Sequence, residues 1–284
     1  TPEFLAKLGA AYGTLIGNGK SVAVGCDSLN ASKMLKRAFS AGVLSTGVNV
    51  YDLGTTTSGI VRYITRLLQA DGGVQIRQSP DDDTALLVEF FDRWGMNIHT
   101  NTRRKLENIF TREAFARTDA EGVGETVFFS NVIAQYIEGV MQTADFKLIR
   151  EAQFKVALYY DAHNFTSFLP VLLSRIGCNI ITPEGLEEGR GVKTLEDIAA
   201  GIEVLRETVI SNGADIGVLI DQNADRLVLI DEKGQVITEE QMVVLVCFLL
   251  LKFTRRQAVP IPVAAPRVIE ELAHEYDGLV LKSQ

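Results

Sequence analysis

Short β-branched apolar runs alternate with amphipathic helical stretches along most of this chain. Strands are expected at SVAVGCD (21–27), VNVYDL (48–53), GVQI (73–76) and LLVEFFD (86–92), with helices over 31–46 and 57–70 between them. Apolar strands joined by helix-length crossovers imply a largely parallel sheet covered on both faces. A turn signal, RWGMN, and a polar helical stretch near 100–110 follow. Residues 111–130 lose apolar periodicity and read as a connection, with a helix starting at about Asn131. The same grammar then restarts: FKVALYYD (154–161), a helix over 165–176, CNIIT (178–182), a helix over 194–212, IGVLID (216–221) and RLVLID (226–231). An apolar helix over 238–253 leads into a strand, a helix and a further strand. The expected fold is α/β: two consecutive three-layer αβα domains with mixed, mostly parallel sheets, over 1–130 and 131–254. Residues 255–284 would begin a third.

Composition narrows the function classes. The 284 residues suit two domains, and a hydrophobic fraction of 46% with 23% charged residues is that of a globular protein able to bury cores. A net charge of −8 without blocks of like charge argues against a general nucleic-acid binder. The longest apolar run, Met242 to Leu251, is too short to span a bilayer and reads as a buried helix. Cys26, Cys178 and Cys247 lie far apart and form no metal-type pair, which points to a reducing cytoplasm. Cys178 and Cys247 sit in apolar surroundings expected to be core. The opening residues carry no secretory signal and read as a helix with Thr1 as cap and Pro2 in its first turn. A chain that opens on its first helix reads as a piece of something longer.

One stretch concentrates oxygen ligands. VLIDQNADRLVLIDEKG (218–234) sets Asp221, Asn223, Asp225 and Arg226 between two apolar runs. Such a loop is either a tight polar turn, since Asp and Asn tolerate turn geometry, or a site for a hard cation such as Mg²⁺. A helix-loop-helix calcium site would put Asp221, Asn223, Asp225 and Glu232 at ligand positions. Its sixth position requires Gly and here holds Arg226, and the flanks are strands, so that site is excluded.

Three segments together resemble the α-D-phosphohexomutases, the phosphoglucomutase/phosphomannomutase superfamily. GADIGVLIDQNADRLVLIDEKGQVI is similar to that family's metal-binding segment, where Asp-Gly-Asp-x-Asp-Arg lies between two strands. GGVQIRQSPDDDTALLVEFFDRWGMNI (72–98) looks like its catalytic stretch, and VAVGCDSLNASKMLKRAFSAGVLSTGVNVYDLG like its helix-entry motif, with Asp27 and Ser32 retained. The resemblance implies that Ser79 carries a phosphoryl group, that Asp221, Asn223 and Asp225 hold Mg²⁺, and that Arg77 and Arg226 contact phosphate. The implied reaction moves a phosphoryl group between positions 1 and 6 of a hexose phosphate through a bisphosphate.

The sequence also departs from that family. Pro80, Asp81 and Asp82 replace its His-Asn-Pro, setting carboxylates where a phosphodianion would approach. At about 5 Å each such charge repels by roughly 1–3 kcal/mol at intermediate dielectric. Arg77 would offset part of this. Cys26 and Leu29 stand where the family has arginines. Arg-x-Ser-Pro at the serine resembles mutase-like modules fused behind a nucleotidyltransferase of the mannose-1-phosphate guanylyltransferase type. That resemblance implies a fused nucleotidyltransferase partner, and its alternative function is a non-catalytic sugar-phosphate-binding or scaffolding module. No nucleic-acid or membrane partner is expected. Among the remaining polar residues, His99, His163 and Asp161 read as loop-shaping groups, His274 as solvated and Trp94 as packing at a turn.

Overall fold

The chain enters through α1 (Pro2–Ile16), where the Thr1 hydroxyl accepts from the Phe4 N–H at 3.4 Å and Pro2 occupies the first turn. The computed structural model describes residues 1–79, 82, 84–160, 168–183, 195–221, 224, 226–254 and 258–283. After α1 come β1 (Ser21–Cys26), α2 (Asn30–Leu44), β2 (Asn49–Thr55), α3 (Ser58–Leu67), β3 (Gly72–Gln78), β4 (Leu86–Asp92), α4 (Thr100–Thr111) and β5 (Thr126–Phe128). Their strands form one sheet in the order β4-β3-β1-β2-β5, parallel except for β4. β1 is the central strand, and five of its six residues are buried. That explains its unbroken apolar sequence, since a strand covered on both faces has no polar side to show.

Side chains alternate between two helical layers. Leu5, Tyr12, Leu35, Phe39, Val43 and Leu106 from α1, α2 and α4 close one face of the sheet. Ile60, Val61 and Ile64 of α3 close the other. The crossing of α1 and α2 is close because glycine permits it: a Cβ at Gly9 would overlap the Phe39 carbonyl oxygen, and one at Gly42 the Ala6 carbonyl oxygen.

The connection then passes through α5 (Val132–Met141) and α6 (Lys147–Ala152) into the second unit. It contains β6 (Lys155–Tyr159), α7 (Phe168–Arg175), β7 (Asn179–Ile181), α8 (Leu195–Asn212), β8 (Ile216–Ile220), β9 (Leu227–Asp231) and β10 (Val236–Ile237). Its sheet runs β10-β9-β8-β6-β7, with β6, β7 and β8 parallel and the β8–β9–β10 edge antiparallel. α5 and α7 seat this unit on the first: Val132, Ile137 and Phe168 join the core under α3. Tyr136 stands edge-on to both Tyr63 and Phe168, with centroids 5.5 and 5.6 Å away. Last come α9 (Glu239–Phe253), β11 (Ala258–Pro262), α10 (Val268–Glu275) and β12 (Leu279–Ser283), with β11 and β12 paired in parallel. Two mixed, mostly parallel sheets and a small third pair of strands therefore make the chain α/β, as its pattern implies.

Some expectations need correcting. The connection over 111–130 contains β5, which lies parallel to β2 at the sheet edge. Its three side chains are all exposed, so no alternation marked it. α9 is not buried: Val243, Leu245, Val246, Leu249, Leu250 and Phe253 are exposed, because α10 and a two-stranded sheet cannot cover an all-round apolar helix. Trp94 does not pack at its turn but is exposed beside Arg93. Cys178 is only half-buried, whereas Cys247 lies in the core between α9 and α10. His99 caps α4, its Nδ1 accepting from the Asn101 N–H at 3.2 Å, and His274 is exposed. Asp161 and His163 lie outside the described residues. None of the described helices is long and apolar enough to cross a membrane.

Two polar pairs are built into the first unit. Lys36 of α2 reaches Asp52 of β2, and the Asp52 carboxylate also accepts from the Gly54 N–H at 2.8 Å. On the opposite face, Arg77 donates its Nε–H to Glu89 Oε2 at 2.7 Å, and the Ser58 hydroxyl donates to the same oxygen at 2.6 Å. Burial alone would raise the Glu89 pKa, but the hydrogen bonds from Arg77 and Ser58, with the charges of Arg77 and Arg62, outweigh it and hold it low. A depressed carboxylate stabilises the fold above its ordinary pKa of 4.5 and stops doing so as pH falls through the lower folded value. The stability gap between wild type and Glu89→Gln should therefore narrow as urea unfolding is repeated from neutral pH down to about pH 3. A gap constant over that range would rule out a favoured carboxylate. Gly42→Ala should cost about 2 kcal/mol in the same assay, since overpacking at a backbone contact has no flexible end to move. A loss within experimental error would mean that the helices separate freely.

Candidate functional site

The serine turn is fixed from two sides. β3 ends at Gln78, and Ser79 follows half-buried, its N–H donating to the Ala85 carbonyl at 3.0 Å to close the turn into β4. From the other side comes Asp27, the residue after β1. Its N–H donates to the Ile76 carbonyl at 3.1 Å, extending the β1–β3 ladder by one residue. Its buried carboxylate accepts from the Leu29 N–H at 3.0 Å and from the Gln78 N–H at 2.6 Å. One aspartate thus clamps the start of the loop into α2 and the residue before Ser79. The position is chemically apt. α2 leaves β1 on one face and α3 enters β3 from the other, and open α/β sheets bind ligands outside the carboxyl ends of strands at such a reversal.

Beyond Ser79 the turn is held by Asp82, whose Oδ1 accepts from the Thr84 hydroxyl at 2.6 Å and the Thr84 N–H at 2.9 Å. Those bonds, side chain first, keep the exposed Asp82 carboxyl below its usual pKa, so it is an anion at neutral pH. Pro80 and Asp81 lie outside the described residues.

Arg77 stands one residue before the end of β3. It is buried, and its Nε is given to Glu89. Cys26, in the place where an arginine was expected, is fully buried beneath α2, and burial pushes its thiol pKa up to about 11. Its Sγ lies 3.7 Å from the Gly54 carbonyl. Ser32 is also fully buried, and its hydroxyl has no hydrogen-bond partner among the described residues. Sequence reasoning missed Glu89, Ser58, Lys36 and Asp52. For Lys36 the available signal was an ionic residue on an otherwise buried helix face, which demands a charged partner.

The second group lies on the other sheet. β8 and β9 are joined by a short hairpin, closed by Asp221 N–H to the Arg226 carbonyl at 3.1 Å. The buried Asp221 carboxylate accepts from the Arg226 N–H at 3.1 Å, and Ala224 sits in a left-handed conformation at φ 56°. Both readings of this loop survive at Asp221: it shapes a tight turn, and it is a hard oxygen donor at the carboxyl end of a parallel strand. Asn223 and Asp225 lie outside the described residues. Among the described residues no cluster of three His, Cys, Asp or Glu side chains could hold a metal ion. An all-oxygen set of Asp221, Asn223 and Asp225 nevertheless has the chemistry that Mg²⁺ prefers.

Comparison with known proteins bears on the fold. Residues 1–117 match the phosphoglucomutase/phosphomannomutase α/β/α domain I. Over 256 residues, 89% of the chain, it is 31% identical to a phosphoglucosamine mutase from Thermoanaerobacter pseudethanolicus, spanning 56% of that protein. Over its whole length, in an alignment of 292 positions, it is 29% identical to a phosphoglucomutase/phosphomannomutase from Thermococcus kodakarensis, spanning 63% of it. The fold matches the crystal structure of a phosphoglucomutase/phosphomannomutase family protein from Burkholderia thailandensis with a TM-score of 0.80 at 18% identity. That match covers all of this chain and 62% of the other. The chain thus spans less than two thirds of each of these proteins. Residues 1–117 thus match a phosphoglucomutase/phosphomannomutase domain I, and the chain as a whole is similar to proteins of that superfamily in sequence and fold.

Proposed function

We propose that this chain carries the phosphoryl relay of a hexose-phosphate mutase resembling the phosphoglucosamine mutases, with Ser79 as the carrier. The observation that carries this reading is the first-unit match to a mutase domain, together with a serine clamped by Asp27 at the reversal between β1 and β3. In the proposed cycle a sugar hydroxyl attacks the phosphorus on Ser79 Oγ. The phosphorus–serine bond breaks, and the hydroxyl proton passes to a base. The resulting bisphosphate turns round, and Ser79 Oγ takes back the other phosphoryl group, leaving the phosphate at the second sugar position. Asp27 acts as a positioning residue in this scheme, fixing the Gln78 N–H and so the direction of the serine. Asp221, Asn223 and Asp225 would hold Mg²⁺, and Arg226 would contact phosphate. When bound, Mg²⁺ supplies Lewis-acid neutralisation of phosphoryl oxygens.

The relatives described above are named as mutases, so the nucleotidyltransferase fusion suggested by Arg77-Gln78-Ser79-Pro80 is not part of this reading. One observation does favour the non-catalytic alternative: the buried Arg77 guanidinium is engaged by Glu89. With Asp82 ionised at the turn, a bound phosphate would meet an anion with less compensation than the sequence offers.

Incubation with glucose 1,6-bisphosphate should add one phosphoryl mass, mapped to Ser79, which glucosamine 6-phosphate removes and Ser79→Ala never acquires. Tight binding of hexose phosphate without that adduct would instead favour the non-catalytic module. In a Mg²⁺ titration, Asn223→Asp should tighten binding about tenfold, since a carboxylate replaces a neutral amide, and Asp221→Ala should abolish it. Equal affinity in the wild type and both variants would remove the cation from this loop.

A further inference from the structure

The first sheet has an uncovered margin on the face occupied by α1, α2 and α4. α2 lies over β1, β2 and β3, and β5 extends the sheet past it. The gap is a groove of about 510 Å³ between the flank of α2 and the β2–β5 edge, a size suited to a small ligand. It belongs neither to the serine turn, which is at the end of β3, nor to the β8–β9 hairpin.

Its chemistry is unusual for a chain of net charge −8. Lys33, Lys36 and Arg37 recur at helical spacing along the α2 wall, against Asp52 as the sole carboxylate of the lining. Lys36 is buried against Asp52 and its charge is answered there. Lys33 and Arg37 make no ion pair in the described structure, so the groove keeps two uncompensated cations. The hydroxyls of Ser40, Thr55 and Thr126 also line it, and none makes a hydrogen bond among the described residues.

The opposite wall, from β2 and β5, carries the ring of Phe128. Parallel pairing sets Phe128 beside Asp52, and alternation along β5 turns Thr126 and Phe128 to the same face. Phe128 is 78% exposed, so its ring is available for stacking. Cations on the helical wall, with hydroxyls on both walls, recognise phosphate oxygens, and the exposed ring of Phe128 recognises a planar ring.

We propose that the groove between α2 and β5 binds a nucleotide, with its phosphates at Lys33 and Arg37 and its base against Phe128. The site holds its ligand without reacting with it and is independent of the phosphoryl relay.

Calorimetric titration of the whole chain with ADP and UDP, with ribose 5-phosphate and inorganic phosphate as controls, tests this. ADP and UDP should bind, and binding should weaken as ionic strength rises because Arg37 is exposed. The double variant Lys33→Ala/Arg37→Ala should weaken both nucleotides by about tenfold or more, with circular dichroism unchanged. Phe128→Ala should weaken the nucleotides by about fivefold or more and leave ribose 5-phosphate where it was. Ser79→Ala should bind nucleotide as the wild type does. No binding of ADP or UDP at millimolar concentration would overturn the proposal. So would unchanged affinity in either groove variant, or loss of binding in Ser79→Ala.

Discussion

The Asp27 carboxylate is the contact on which the candidate chemistry rests. β1 pairs with β2 on one side and β3 on the other, so its end fixes where both neighbours end. Asp27 prolongs β1 by one backbone bond and then gives its two oxygens to Leu29 and Gln78. Charge-assisted bonds of this kind are about twice as strong as neutral ones, and here they are shielded from water. The departure of α2 and the approach to Ser79 are set by the same group.

Charge around this clamp is mostly answered inside the fold. Glu89 engages Arg77 below β3, and Asp52 engages Lys36 below α2. A buried pair of this sort contributes little net stability, but removing one member leaves a charge stranded. These pairs fix strand and helix positions, and they also draw on cations that a phosphate would otherwise meet. Lys33 and Arg37, which make no ion pair among the described residues, stand at a different place, along the margin of β5.

The two large units are joined by packing rather than by a shared sheet. Tyr63, Tyr136 and Phe168 form a run of edge-to-face contacts from α3 through α5 to α7. Burial raises the Tyr136 pKa, as expected for a phenol held between aromatic neighbours. The third unit is different, because α9 keeps a broad apolar face in solvent.

The chain's own residues determined the order and type of nearly every element. Long apolar strands and amphipathic helices bury their faces in whatever company the sheet provides, so periodicity is enough to read them. It failed at β5, a strand of three exposed residues, and at α9, whose apolar surface exceeds its cover. Ser79 and Asp221 were legible as polar residues following apolar strands, although their roles rested on resemblance. Tertiary structure alone decided the polar partnerships: Arg77 with Glu89, Lys36 with Asp52, and Asp27 with Gln78, separated by 12, 16 and 51 residues. Sequence cannot name such partners, because they meet only once strand order and register have brought distant segments side by side.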